Sequence, residues 1–261
     1  MAEARGKGQL ILVAEDDTTN QKVILHQLAL LGYRAEVAAN GQDALQRWRQ
    51  GEFALLLTDL HMPQMDGLQL ARAIRQEEGK GRHLPIIALT ADVLSVRQRI
   101  IDGSGFDDCL SKPIQLDVLG DMLHHWLPGA REVAVEAPER VPSSTVVELS
   151  VLRELVGDDE QIIQAVLSDF QVSLRRSAIA LREAYIKGDA RQVGAIAHQL
   201  KSAARTVGAL AFADSCAELE TVCKAGQQAG LTPLISQFER NLTLVETSIE
   251  EQLIPIGLNN R

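Results

Sequence analysis

The sequence predicts two domains in series: an α/β domain with a parallel sheet covered by helices on both faces, then an all-α four-helix bundle. Three observations carry this. Over residues 9–127 short apolar runs alternate five times with segments of helical period, the pattern of a parallel sheet with right-handed crossovers. From residue 149 onward only long helical stripes occur, punctuated by Gly188, Gly208 and Gly226. Between the two, residues 129–147 (GAREVAVEAPERVPSSTVV) show neither period and read as a linker. A flexible coil of that length has ends about 25 Å apart, enough for the domains to meet without fixing how. The expected division is a tail over 1–8, the α/β domain over 9–128, the linker over 129–147, the bundle over 148–255 and a tail over 256–261.

Composition narrows the function classes. The 261 residues are 46% hydrophobic but only 3% aromatic, so the cores are built from Leu, Ile, Val and Ala. The net charge of -9 divides evenly, with 13 Lys+Arg against 17 Asp+Glu in residues 1–128 and 13 against 18 in residues 129–261. Neither half is basic enough to grip a phosphate backbone, which argues against nucleic-acid binding. The longest apolar runs, 10–14 and 84–89, fall far short of a membrane span, and the N-terminus lacks an apolar signal core. A soluble, cytoplasmic chain is expected. Cys109, Cys216 and Cys223 have no metal spacing, which fits a reducing compartment; Cys216 and Cys223, two turns apart on one face, are expected inside.

The elements of the first half follow in order. Residues 9–14 read as a buried strand running into Glu15, Asp16 and Asp17. A helix over 18–31 stops at Gly32, a strand covers 34–38, and a helix covers 41–50. The five apolar residues that open FALLLTDLHMPQMDG (53–67) suit a strand buried on both faces over 53–58, with Asp59 at its end. Pro63, Asp66 and Gly67 then turn the chain into a helix over 68–77. A strand over 85–89 ends on Thr90, a helix covers 92–101, a short strand over 108–110 ends in Ser111, Lys112 and Pro113, and a helix covers 115–127. Asp102 to Gly105 has the look of a kinase glycine box but the wrong spacing, and reads as a loop.

The polar residues converge. Four strands deliver Glu15 and Asp16, Asp59, Thr90 and Lys112 to the carboxyl edge of the sheet, where open α/β sheets keep their chemistry. Singly, each is an ordinary loop residue; together they suit phosphoryl transfer to an aspartate. Carboxylates of Glu15, Asp16 and Asp59 offer hard oxygens for Mg²⁺, Asp59 is the nucleophile, Lys112 the cation against phosphoryl oxygens and Thr90 a hydroxyl donor.

ILVAEDDTTN, LLLTDLHMPQMDG, IIALTA and LSKPI make residues 9–127 similar to a response-regulator receiver domain. The resemblance implies the flavodoxin-like strand order 2-1-3-4-5, phosphorylation at Asp59, Mg²⁺ held by Glu15, Asp16, Asp59 and the main-chain carbonyl of His61, and a cis bond between Lys112 and Pro113. Two positions depart from the pattern. Glu15 stands where the family has its first acidic aspartate, one methylene longer but still a ligand. Cys109 stands where Tyr or Phe usually partners the switch threonine, so coupling of Thr90 to an aromatic rotamer is not expected.

In the second half Ile163, Val166, Leu167, Phe170, Leu174, Ala178, Leu181 and Tyr185 mark one apolar stripe. Asp189 caps a helix with Val193, Ile196, Ala197, Leu200, Ala203, Ala204 and Val207 on its core side; further helices cover 210–225 and begin at Thr232 and Pro233. A short helix over 149–156 precedes them. At 100° per residue His198 lies opposite the core side and is expected to face water. Arg191, Gly194, Lys201, Ser202 and Arg205 share its stripe: small residues that let another protein approach, and cations for a phosphoryl group. From the bundle alone, a solvated face with an incidental histidine is the readier reading. AHQLKSAARTVGA, however, resembles the active-site helix of histidine phosphotransfer (HPt) domains, which implies that His198 is phosphorylated, with Lys201 beside it. Ser202 replaces the usual Gly. His124 and His125 lack such a setting and read as helix-end surface residues.

Receiver followed by HPt is the order at the carboxyl end of unorthodox hybrid sensor kinases. The resemblance implies a phosphorelay intermediate: a sensor histidine kinase gives phosphate to Asp59, which passes it to His198 and on to a downstream response regulator. It also implies attachment to the inner membrane if the chain is part of a full-length sensor. No ATP-binding kinase segment occurs in these residues. Two alternatives stand beside it: a docking scaffold with one phosphosite silent, and an aspartyl-phosphate hydrolase, which would want a second aspartate where His61 stands.

Overall fold

The computed structural model describes residues 10–79, 83–91, 103–127, 146–226 and 230–253. The expected helix over 92–101, residues 129–145 of the expected linker and both tails lie outside the described residues. The chain forms two compact units, residues 1–137 and 138–261.

In the first unit five strands, β1 (Leu10–Ala14), β2 (Arg34–Ala38), β3 (Leu55–Asp59), β4 (Ile86–Thr90) and β5 (Asp108–Ser111), pair in parallel in the order β2-β1-β3-β4-β5. Helices α1 (Thr18–Leu30), α2 (Gly41–Gln50), α3 (Gly67–Glu77) and α4 (Leu116–Trp126) cover it. Alternation along each strand splits the core into two layers. Leu12, Ala14, Leu56, Ile86 and Ala88 pack with Leu70, Ala71 and Ile74 of α3. Ile11, Val13, Leu55, Leu57, Ile87 and Leu89 pack with Ile24 and Leu28 of α1 and Leu119 and Leu123 of α4.

Strand limits differ slightly from the apolar runs because backbone pairing, not side-chain polarity, sets them. β3 begins where Leu55 pairs with Ile11 and continues to Asp59, which pairs with Leu89. Gly67 follows from a close approach: a Cβ there would lie 2.2 Å from the Asp59 carbonyl oxygen. Asp66 and Gln69 close a capping box over the start of α3. The Lys112–Pro113 peptide is cis.

The second unit contains α5 (Leu149–Val156), α6 (Glu160–Ile186), α7 (Ala190–Thr206), α8 (Leu210–Lys224) and α9 (Leu231–Leu253). The four long helices contact in a ring, α6 with α7, α7 with α8, α8 with α9 and α9 with α6, so α6 and α8 are diagonal. All seven residues read as the core side of α7 are buried. Phe170, Phe212 and Phe238 fill the centre, the last two with ring centroids 5.2 Å apart. Pro233 sits in the first turn of α9, where its missing N–H costs no hydrogen bond. Gly208 adopts a φ of +78° and lies against the backbone of Glu148, whose N–H donates to its carbonyl at 3.1 Å. Val147, read from the sequence as the last linker residue, is buried, and its carbonyl accepts from Gln252 Nε2 at 3.4 Å.

Candidate functional site

At the carboxyl edge of the sheet the predicted residues meet. Glu15 follows β1, its backbone N–H donating to Ala38 at 3.1 Å, while Asn20 Nδ2 donates to Glu15 Oε1 at 3.1 Å and Gln21 Nε2 to its carbonyl at 2.6 Å. Asp17, third of the acidic cluster, instead caps α1, accepting from Thr19 and Asn20 N–H at 3.0 Å each. Carboxylate oxygens of Glu15, Asp16 and Asp59 lie within 4.8 Å of one another. Lys112 enters from the end of β5 and donates to Glu15 Oε2 at 2.5 Å and Asp59 Oδ2 at 2.6 Å. His61 N–H donates to Asp59 Oδ1 at 3.2 Å. Thr90 is buried at the end of β4, next to β3 in the sheet, and its carbonyl accepts from Lys112 N–H at 2.8 Å.

The electrostatics are those of a site short of positive charge. Burial pushes the Glu15 carboxyl up to about 8, with Lys112 opposing the shift and the Asp59 carboxylate adding to it. Burial also disfavours the Lys112 ammonium, but Asp59 and then Glu15 outweigh it and hold the ammonium above its usual range. Three hard carboxylate oxygens that repel one another in a buried corner fit a small divalent cation, which would relieve that repulsion. Asn20 and Gln21, which orient Glu15, were not singled out from sequence; their spacing one turn beyond the acidic cluster is a weak signal.

The second unit departs from expectation. His198 does not stand clear in water: its side chain is only 20% exposed, and Nδ1 lies 2.9 Å from Glu220 Oε1 on α8. Lys201 is likewise drawn inward, nine-tenths buried, with Nζ donating to Glu220 Oε2 at 2.6 Å. Lys224 Nζ reaches Glu220 Oε1 at 2.5 Å. A helical wheel cannot show this, because the face opposite one neighbour can lie against another. Gly194 belongs to the same correction. It is not an open approach but a contact point, since a Cβ there would sit 2.9 Å from Cys223 Cβ on α8. Ser202 and Arg205 are half-buried, Arg191 is exposed, Cys216 is buried and Cys223 is half-buried.

In the second unit Glu220 is the residue sequence reasoning missed. It falls on the buried stripe of α8 with Phe212, Cys216 and Leu219, and a carboxylate on such a stripe was the available signal. Burial works against its charge, but hydrogen bonds from His198, Lys201 and Lys224 hold it far below the usual carboxylate range. An ionised carboxylate only accepts, so the bond to His198 requires a proton on Nδ1, which in the neutral ring leaves the lone pair on Nε2.

Comparison with known proteins adds the following. Residues 11–124 match the family model for the response regulator receiver domain, and residues 162–248 that for the Hpt domain. The virulence sensor protein BvgS of Bordetella pertussis is 32% identical over 255 residues, covering 93% of this chain and 20% of BvgS. The sensor protein EvgS of Escherichia coli is 28% identical over 249 residues, covering 93% of this chain and 18% of EvgS. The chain thus spans about a fifth of the length of these relatives. A solved receiver domain, that of the sensor histidine kinase PA1611 from Pseudomonas aeruginosa, is 38% identical over 46% of this chain and 97% of its own, with a TM-score of 0.42.

Proposed function

This chain is a receiver domain followed by an Hpt domain, and from that premise we propose that it is a phosphorelay intermediate in which Asp59 and His198 carry the phosphoryl group in turn. The observation that carries the reading is the contact of the Lys112 ammonium with Asp59 inside the three-carboxylate cluster.

An Asp59 carboxylate oxygen attacks phosphorus of an incoming phosphohistidine; the P–N bond breaks as the P–O bond forms, and the donor imidazole leaves. Lys112 neutralises charge on the transferring oxygens, and Thr90 donates its hydroxyl to one of them. Glu15, Asp16, Asp59 and the main-chain carbonyl of His61 would hold Mg²⁺, which supplies further charge neutralisation at the phosphoryl oxygens. In the next step the Nε2 lone pair of His198 attacks the phosphorus on Asp59, and the aspartate carboxylate is released. Glu220 keeps the proton on Nδ1 and stabilises the positive charge that grows on the ring, while Lys201 fixes Glu220. The upstream donor is a sensor histidine kinase and the final acceptor an aspartate of a separate response regulator. The reading puts the chain on the cytoplasmic side.

Incubation with labelled phosphodonor, followed by separation of base-stable phosphohistidine label from base-labile acyl-phosphate label, tests this. Asp59→Asn should take no label from a kinase phosphohistidine, and His198→Gln should hold label only as acyl phosphate. Label retained by Asp59→Asn, or His198 unlabelled in the parent chain, overturns the reading and favours a scaffold with a silent phosphosite.

A further inference from the structure

One helix carries the three most exposed large apolar side chains among the described residues: Val172 at 66%, Ile179 at 56% and Ile186 at 82%, all on α6. They repeat every seven residues, so they form one stripe that drifts only about 20° per step. The stripe is symmetric about Ile179, with Val172 and Ile186 two turns away on either side. Exposed charges of opposite sign flank the centre, Arg176 on one side and Glu183 on the other. Arg175 and Arg182 do not compete, because they bind Glu246, Glu250 and Glu239 of α9 within the same bundle. Lys187 lies 3.8 Å from Glu183 one turn on, but an exposed pair at that distance is worth little and leaves Glu183 able to meet a partner.

We propose that this face of α6 pairs antiparallel with the same face of a second copy of the chain, about a twofold axis at Ile179. That arrangement stacks Ile179 on its own symmetry mate, lays Val172 against the partner's Ile186, and brings Arg176 to the partner's Glu183 twice over. A parallel pairing would set Arg176 against its own copy and Glu183 against its own copy, so charge selects the antiparallel form. The β-branched side chains have few rotamers to lose on burial. Three such side chains cover far less than the ~800 Å² per partner of a standard interface, so the dimer is weak and concentration-dependent. It leaves the His198 side accessible: the imidazole lies against α8, which is diagonal to α6.

Sedimentation velocity of the full chain over a wide concentration series tests this, with circular dichroism as the control for folding. The average mass should climb from 28.5 kDa toward twice that value. Ile179→Glu, which puts like charges on the axis, should abolish association with the melting curve unchanged. If that variant does not fold, Val172→Gln with Ile186→Gln takes its place. Arg176→Glu should move association to higher concentration, and Arg176→Glu with Glu183→Arg should restore it. A parent chain monomeric throughout, association indifferent to Ile179→Glu, or a double charge reversal no better than the single one overturns the proposal.

Discussion

Glu220 shows how one side chain can set the state of a site. Its folded pKa is held below the ordinary 4.5, so it contributes stability that is present above pH 4.5 and lost as pH falls through its lowered folded value. Glu220→Gln should therefore be less stable than the parent near neutral pH, and the gap should narrow as pH drops below 4.5; denaturant titrations across pH measure it. The same variant frees the imidazole to place its proton on either nitrogen. Its rate of label transfer to His198 should fall while label on Asp59 stays normal, a split that mere loss of stability would not give. In the sequence His198 and Lys201 were visible because both belong to a recognisable motif. Their acceptor was not, because it lies 22 residues from His198 on another helix.

At the scale of elements, the site depends on where helices begin and how closely they pack. Asp66 and Gln69 fix the first turn of α3 just after the loop that carries His61. Asp66→Ala removes the cap and should cost about 0.5–2 kcal/mol of first-unit stability in urea denaturation. Gly194 lets α7 and α8 touch, and an added methyl 2.9 Å from Cys223 Cβ must push them apart. Gly194→Ala should destabilise the bundle by about 1–3 kcal/mol and slow transfer to His198, since the Glu220 bond spans that interface. Strand and helix periods were legible across the described elements of both halves. The small shifts at their ends came from partners the sequence does not display, such as Leu89 extending β3 to Asp59.

For the whole molecule, two units with separate cores predict two calorimetric transitions. Mg²⁺ should raise the one belonging to the carboxylate cluster and leave the bundle's unchanged, because among the described residues the ligand set lies in the first unit. Phe170→Ala should do the converse, lowering the bundle transition by the equivalent of about 3–5 kcal/mol. A Mg²⁺-insensitive first transition would count against the cation site.

By itself the sequence determined the order of the described elements, the parallel sheet, and the meeting of Glu15, Asp16, Asp59 and Lys112. Strand ends in a parallel α/β sheet arrive at one edge by topology, so knowing the strands is enough to know their neighbours. What only the tertiary structure decided is the setting of His198. Around a bundle every helix has two neighbours, and a helical period reports the stripe facing the common core but not the groove shared with one flank. There the packing of α7 on α8 turned a face that reads as solvent into a largely buried contact of His198 with Glu220.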